Sequence, residues 1–340
     1  MSEITQTAIG TWSGGRYLHF GEAIEEDRLA ALLRPGGIDT FLTADAYGEG
    51  EGDRLLGRAL EGVSRDSYSL VGAVGHDFYE GEREGPRGFP RFTDPRLRGP
   101  DQYADYLRMA AERSLERIGA ERFDLLLLHN PDRTGYTSEG VWDAMAALRE
   151  SGLTAQLGVA PGPANGFTLD LIDCLERFGE RIDWAMIILN PFEPWPGELC
   201  LDAAARHGVK VITRVVDYGG LFWGDLRPGM ELPKGDHRAF RPDGWIEVGL
   251  AEGALACQGG KLGPLVLDLA GVRTGLLDQG RHDALDRRMG EVPLAGELHR
   301  CEIGSGGNRA HALELLAPRL DPAGGTEGPV IALGQGRARG

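Results

Sequence analysis

Cysteine is scarce in this chain: four residues in 340, at Cys174, Cys200, Cys257 and Cys301, with no Cys-x-x-Cys pair. That density excludes a disulfide scaffold, and reduced thiols in a cytoplasmic protein are the expectation. Cys174 falls in an apolar helical pattern and reads as core. The histidines are dispersed without His-Glu-x-x-His or any similar spacing, so no metal is expected. No hydrophobic run is long enough to span a bilayer. The N-terminus lacks a basic segment followed by an apolar one, so no signal peptide is expected. Positive charge is also in deficit. Against 52 Asp and Glu stand 36 Lys and Arg, for a net charge of -16. An acidic surface repels nucleic acid and anionic membranes, which leaves a small molecule as the expected partner. Oligomeric state is not readable from these features.

The hydrophobic fraction, 41%, is ordinary for a globular protein, and the length suits one large α/β barrel. Short apolar runs alternate with helical patterns, the signal of a parallel α/β fold. Strands are expected at Tyr68–Gly75, Phe123–His129, Gln156–Ala160, Trp184–Leu189 and Val209–Val215. Between them, Tyr103–Ile118 carries Tyr103, Tyr106, Leu107, Ala110, Ala111 and Leu115 at helical spacing. Val141–Arg149 and Leu169–Phe178 behave similarly. Gly119, Gly152, Gly179 and Gly208 follow the helical patterns and are expected as left-handed stops. Continuous apolar strands separated by helices mean a sheet covered on both faces or a closed barrel, and periodicity does not choose between them.

Two segments break this rhythm. Gly75–Gly99 is rich in Gly, Pro and charge and follows a strand end, where barrel enzymes place functional loops. Its interleaved Phe78, Tyr79, Phe89 and Phe92 favour an ordered loop facing a substrate. From about Gly253 the pattern changes, and Cys257-Gln258-Gly259-Gly260-Lys261 interrupts an expected helix. The reading is therefore residues 1–252 as the main part of a single barrel. Residues 253–340 form a divergent region that either completes the barrel or trails as a disordered tail. Within that region Cys301-Glu302-Ile303, Gly304-Ser305-Gly306-Gly307 and Ala310–Leu316 look like a faint strand, loop and helix.

Two motifs carry a resemblance. The stretch Leu42-Thr43-Ala44-Asp45-Ala46-Tyr47-Gly48, running on to Leu56-Gly57-Arg58-Ala59-Leu60, is one. Phe123-Asp124-Leu125-Leu126-Leu127-Leu128-His129 is the other. Together they resemble the D-T-A-x-x-Y-G and L-G-x-A-L signature and the fourth strand of the aldo-keto reductases, and the resemblance implies a (β/α)8 TIM barrel. It also implies a catalytic Asp, Tyr, Lys and His, with NADP(H) as cofactor. Tyr47 and His129 match the Tyr and His. The Asp position holds Leu42, and the Lys position falls at or beside Ala73. In the family the Lys cation lowers the tyrosine pKa and the Asp holds the Lys. Losing both leaves no unpaired buried charge, so the site stays stable while its acid weakens. His76, just past the third strand, is a candidate replacement cation. Asp45 is expected to cap the helix beginning near Glu49.

The resemblance also locates the cofactor side. The family's G-V-S-N after the fifth strand reads Gly158-Val159-Ala160-Pro161, and its sixth-strand Gln falls on or beside Leu189. Neither Ala160 nor Pro161 has a side-chain donor, and Pro161 lacks an N–H. Arg214 stands where a residue packs on the nicotinamide, and Gly220 and Leu221 belong to the loop over the pyrophosphate. Ser305, Asn308 and Arg309 would nest a phosphate at a helix N-terminus. The expected pocket is polar and aromatic: His76, Tyr79, Asn130, Asn190, Trp195, Asp217 and Trp223, with Phe192 and Glu193 nearby. Such residues suit a sugar or polyol. Three readings follow: an NADP-dependent reductase or dehydrogenase with a degenerate tetrad, a non-redox lyase or isomerase using Tyr47 and His129, and a catalytically silent binding barrel.

Overall fold

The computed structural model describes residues 4–14, 26–85, 88–162, 165–190, 192–216, 218–221, 226–258 and 331–334. Eight parallel strands close into a barrel in the order of the chain. They are β1 Thr7–Gly10, β2 Thr40–Leu42, β3 Ser69–Val74, β4 Phe123–His129, β5 Thr154–Ala160, β6 Trp184–Ile188, β7 Lys210–Arg214 and β8 Ile331–Gly334. Helices lie between them: α1 Glu26–Leu32, α2 Glu51–Leu60, α3 Tyr103–Ile118, α4 Arg133–Thr137, α5 Glu139–Glu150, α6 Thr168–Phe178, α7 Leu199–Arg206 and α8 Trp245–Gln258. β8 closes the ring by pairing Ile331 with Ile212 and Ala332 with Thr7. The faint strand at 301–303 and the phosphate nest behind it lie outside the described residues.

Alternation along each strand divides the core in two. Leu42, Val71, Ala73, Leu125, Leu127, Ala160, Trp184, Met186 and Ile212 point inward and fill the barrel as one apolar cluster. The residues between them, such as Phe41, Leu70, Leu126, Val159 and Val211, point outward and pack under the helices. Every residue of β3 and of β4 is buried, which is why both read as unbroken apolar runs. Helix α3 begins and ends where its periodicity predicts, and Gly119 closes it in the left-handed region at φ 77°. Gly179 departs from expectation. Its φ is -54°, and the chain continues through it into a 3-10 turn at Gly179–Arg181 instead of stopping. Gly57 is required by proximity, because a Cβ there would lie 2.8 Å from the carbonyl oxygens of Arg117 and Ile118. This closeness seats α2 on the end of α3.

The long loop after β3 is tied down by charge. Arg98 donates to Asp77, and to Glu80 at 2.8 Å, and its guanidinium lies 4.2 Å from the Tyr106 ring centroid. Tyr106 stacks on Phe92 and donates its hydroxyl hydrogen to the His76 carbonyl at 2.8 Å. The aromatics of the loop therefore pack against α3, and the loop's first residue, Gly75, presses on β4. A Cβ at Gly75 would come 2.6 Å from the His129 carbonyl oxygen.

Candidate active site

The β2–β3 ladder continues past the strand end, with Thr43 N–H donating to Val71 at 2.9 Å and Asp45 N–H to Ala73 at 3.1 Å. This extension carries the chain to the C-terminal mouth and sets Tyr47 there, half-buried against the inner apolar cluster. His129 ends β4 at the same mouth, 7% exposed. The two rings meet edge to face with centroids 5.7 Å apart, and Trp12 flanks Tyr47 on another side at 4.8 Å. Leu42 and Ala73 are both buried in the inner cluster against which Tyr47 packs. The floor beneath the tyrosine is therefore aliphatic. Burial pushes the Tyr47 hydroxyl up to about 12, with Arg214 acting the other way.

His76 reaches the mouth from the long loop, its ring 4.9 Å from that of His129. It does not serve as a replacement cation. Burial, and then the charge of Arg91, hold its pKa at about 3. Arg91 donates to Nδ1 of His76 at 2.9 Å and to the Phe89 carbonyl at 3.0 Å. Nδ1 also lies 3.2 Å from the Phe89 carbonyl, so the guanidinium and that carbonyl both face it. The Asn130 amide lies 2.9 Å from Nε2, and Asn130 Oδ1 is otherwise buried without a partner. Asn130 itself is held in the left-handed region at φ 45°, with its N–H on the Ala160 carbonyl at 2.7 Å. His129 is also kept neutral, by burial first and then by His76, Arg91 and Arg214, and its Nδ1 has no partner.

Buried neutral histidines give a pH dependence. His76 titrates near 6.5 when unfolded and near 3 when folded, so its contribution is complete above pH 6.5 and is lost as pH falls toward 3. At pH 5 the loss from this group is about 2 kcal/mol. Urea unfolding at pH 7 and pH 5 should show a smaller acid loss in His76→Gln than in the parent. Equal losses would show that His76 is not held neutral by the fold.

Arg214 ends β7 and points inward by the alternation that places Ile212 in the barrel. It pairs with Ile188 on β6, yet its guanidinium donates to the β5-end carbonyls of Pro161, at 3.0 Å, and Gly162. The side chain thus reaches past β6 to the rim of β5. Its Nε is buried without a partner.

Other expected pocket residues are engaged elsewhere. The Tyr79 hydroxyl accepts from Arg117 at 3.2 Å, in a cluster where Arg117 also grips Asp53 at 2.8 Å. Asn190 is buried and closes its own turn, its Oδ1 accepting from the N–H groups of Phe192 and Glu193. Trp195 is 66% exposed on the loop after β6. Gly220 lies in the left-handed region at φ 90°, and Leu221 packs in a separate cluster with Leu226, Trp245 and Leu250. Asp217, Trp223, Ser305, Asn308 and Arg309 lie outside the described residues. Asp45 caps nothing. The residue before α2 is Gly50, and both Asp45 carboxylate oxygens are buried without a hydrogen-bond partner, so burial raises its pKa well above the usual range. Arg91, Trp12 and the Asp53–Arg117 pair are not prominent in the sequence, because none falls in a recognisable motif.

The chain is thus a parallel (β/α)8 barrel with a tyrosine after its second strand and a histidine ending its fourth. The family model for the aldo/keto reductase family matches residues 7–252, and the chain belongs to that family. It is 29% identical over 160 residues to a 6-dehydroglucose reductase of Agrobacterium fabrum, covering 46% of this chain and 50% of that protein. It is 27% identical over 175 residues to a D-threo-aldose 1-dehydrogenase of a Pseudomonas species, covering 46% and 53%. The chain thus spans about half the length of these relatives. Among solved structures it is similar to a glycerol dehydrogenase of Gluconobacter oxydans, with a TM-score of 0.56 and 23% identity over 75% of this chain and 78% of that one. That likeness concerns the fold. Among the described residues, no helix is long and apolar enough to cross a membrane.

Proposed function

We propose that this chain is an enzyme acting on a carbonyl or hydroxyl group of a small polar, sugar-like compound at the barrel mouth. Tyr47 exchanges the proton and His129 orients the carbonyl. The observation that carries this reading is the edge-to-face contact of the two rings at 5.7 Å, at the mouth ends of β2 and β4, on either side of β3. Two relatives bear the names of sugar-acting reductases or dehydrogenases, which supports a polyhydroxylated substrate. With its pKa near 12, Tyr47 is a neutral phenol at physiological pH and donates a hydrogen bond to the carbonyl oxygen. Neutral His129 can do the same from the other side.

NADP(H) is the reductant the family implies, and it would supply the hydride when bound. Gly220 and Leu221 are the described residues proposed for its side of the mouth, whereas the Arg214 guanidinium is turned to the β5-end carbonyls. The nicotinamide end does not fit it in the family manner. Ala160 offers a methyl, Pro161 offers a ring, Leu189 is apolar and buried, and the carbonyls of Pro161 and Gly162 already accept from Arg214. Three absent hydrogen bonds at about 1 kcal/mol each predict NADPH affinity roughly a hundredfold below that of the family. A fluorescence titration measures it, and a submicromolar dissociation constant would refute the prediction.

The same observations favour a second reading, a non-redox isomerase or lyase that needs an acid and a base and no nicotinamide. Under it, conversion of a hydroxy-carbonyl compound proceeds without NADPH and falls about a hundredfold in Tyr47→Phe. Under the first reading, turnover requires NADPH and falls with the same substitution. If Tyr47→Phe leaves turnover unchanged, the site is elsewhere.

A further inference from the structure

Carboxylates are abundant in this chain, yet among the described residues the two guanidiniums of its barrel mouth have none in ion-pair range, Asp132 acting on Arg91 only from farther away. Deep arginines elsewhere are paired: Arg98 with Asp77, Arg117 with Asp53, Arg238 with Asp236 and Arg65 with Asp124. Among the described residues, Arg91 and Arg214 are the only arginines not exposed to solvent without a carboxylate in ion-pair range. Both act on His129. Burial disfavours the charge of each. A desolvated charge with no counter-ion is costly, and structures keep one where a ligand supplies the partner.

Unsatisfied polar atoms lie beside these guanidiniums. Arg214 spends its Nη2 on two carbonyls, while its Nε–H is buried and unsatisfied. Nδ1 of His129 is likewise buried and unsatisfied. No hydrogen bond to the Tyr47 hydroxyl is formed by the described residues. His76 and His129 both remain neutral, so neither needs an acid from the substrate, and neither repels one strongly. What is missing is an acceptor carrying negative charge.

We propose that the substrate of this mouth carries an anionic oxygen group, a carboxylate or a phosphate ester, received by Arg214 with His129 and Tyr47 addressing the neighbouring carbonyl or hydroxyl. The substrate is then an acidic sugar or hydroxy acid instead of a neutral polyol. The proposal rests on the mouth being the substrate site, as argued above. It adds a specificity determinant on β7 that the tetrad motif does not contain.

Two matched pairs of probes test it by calorimetry on the full chain: gluconate against sorbitol, and glycerol 3-phosphate against glycerol. The acid of at least one pair should bind at least about tenfold more tightly than its neutral partner, because a hydrogen bond to a charged group is stronger than one between neutral groups. Preference in the first pair alone identifies a carboxylate, and in the second alone a phosphate ester. Arg214→Gln should erase the preference and Arg214→Lys should retain most of it, with unchanged melting. Equal binding within both pairs, or a preference that survives Arg214→Gln, overturns the proposal. If Arg214→Gln fails to fold, the comparison within each pair on the parent protein still decides. Binding is read without turnover, so an inactive protein that prefers acids fails the catalytic reading alone, and an active one that prefers neutral polyols fails this one alone.

Discussion

Asp53→Ala should destabilise the barrel by about 3–5 kcal/mol, the usual result of removing one partner from a buried ion pair. Asp53 is fully buried on α2. One carboxylate oxygen accepts from Thr43 at 2.8 Å, and the other accepts from Nε and Nη2 of Arg117 at 3.0 and 2.8 Å. Thr43 in turn accepts from Thr11 at 3.1 Å. This chain of bonds joins the residue after β1, the residue after β2, helix α2 and helix α3, all beneath the turn that carries Tyr47. Removing the carboxylate leaves the guanidinium of Arg117 beside a cavity, with only the Tyr79 hydroxyl as acceptor.

The effect has a second part that separates pairing from packing. Burial lifts the Asp53 carboxyl above its ordinary range in spite of Arg117 and Thr43. On the carboxylate side the pair does not recover the desolvation cost, while on the guanidinium side burial is outweighed by Asp53 and Tyr79, which raise Arg117. Replacing both members with apolar residues, Asp53→Leu with Arg117→Met, should cost much less than Asp53→Ala alone. Urea unfolding of the single and double variants measures both. If the double variant is the less stable by the full sum, the pair is a net source of stability and the burial argument fails.

The elements legible in the sequence are those whose pattern is determined locally. β4 and α3 coincide with their expected ends because every β4 residue is buried and because α3 stops at a glycine. Tyr47 and His129 were legible as motif members, and the barrel brings them together. The sequence did not reveal how charged side chains are distributed. Asp53 and Arg117 are 64 residues apart, and nothing at either position announces the other. Arg91 lies in a loop without periodicity, yet after burial it is the largest influence that keeps His76 neutral. Tyr79 reads from its aromatic company as a substrate ring, and the structure gives its hydroxyl to Arg117. β8 is only Ile331–Gly334, four residues far from the other strands, and short apolar runs of that length carry no strand signal of their own.

The missing catalytic cation gives the other large effect. Leu42 and Ala73 are 4% and 3% exposed, and both belong to the aliphatic cluster under Tyr47. Ala73→Lys alone would put an ammonium among Val71, Leu125 and Leu127 with no acceptor, so it should destabilise the protein by about 3–5 kcal/mol. Adding Leu42→Asp supplies the counter-ion from the neighbouring strand and should recover much of that loss. The pair also acts on Tyr47. An adjacent cation favours tyrosinate, so the hydroxyl should titrate below its present value near 12, as read by ultraviolet absorbance. Each unit of that shift corresponds to about 1.4 kcal/mol, and up to about tenfold in rate where Tyr47 is the acid. The two functional readings then diverge. Under the reductase reading, NADPH-dependent reduction of an aldehyde panel rises in the double variant. Under the non-redox reading, native turnover falls and no hydride transfer appears, since Ala160 and Pro161 still cannot hold a carboxamide. If Ala73→Lys alone is as stable as the double variant, the ammonium has found water or another acceptor, and position 73 does not face the floor beneath Tyr47.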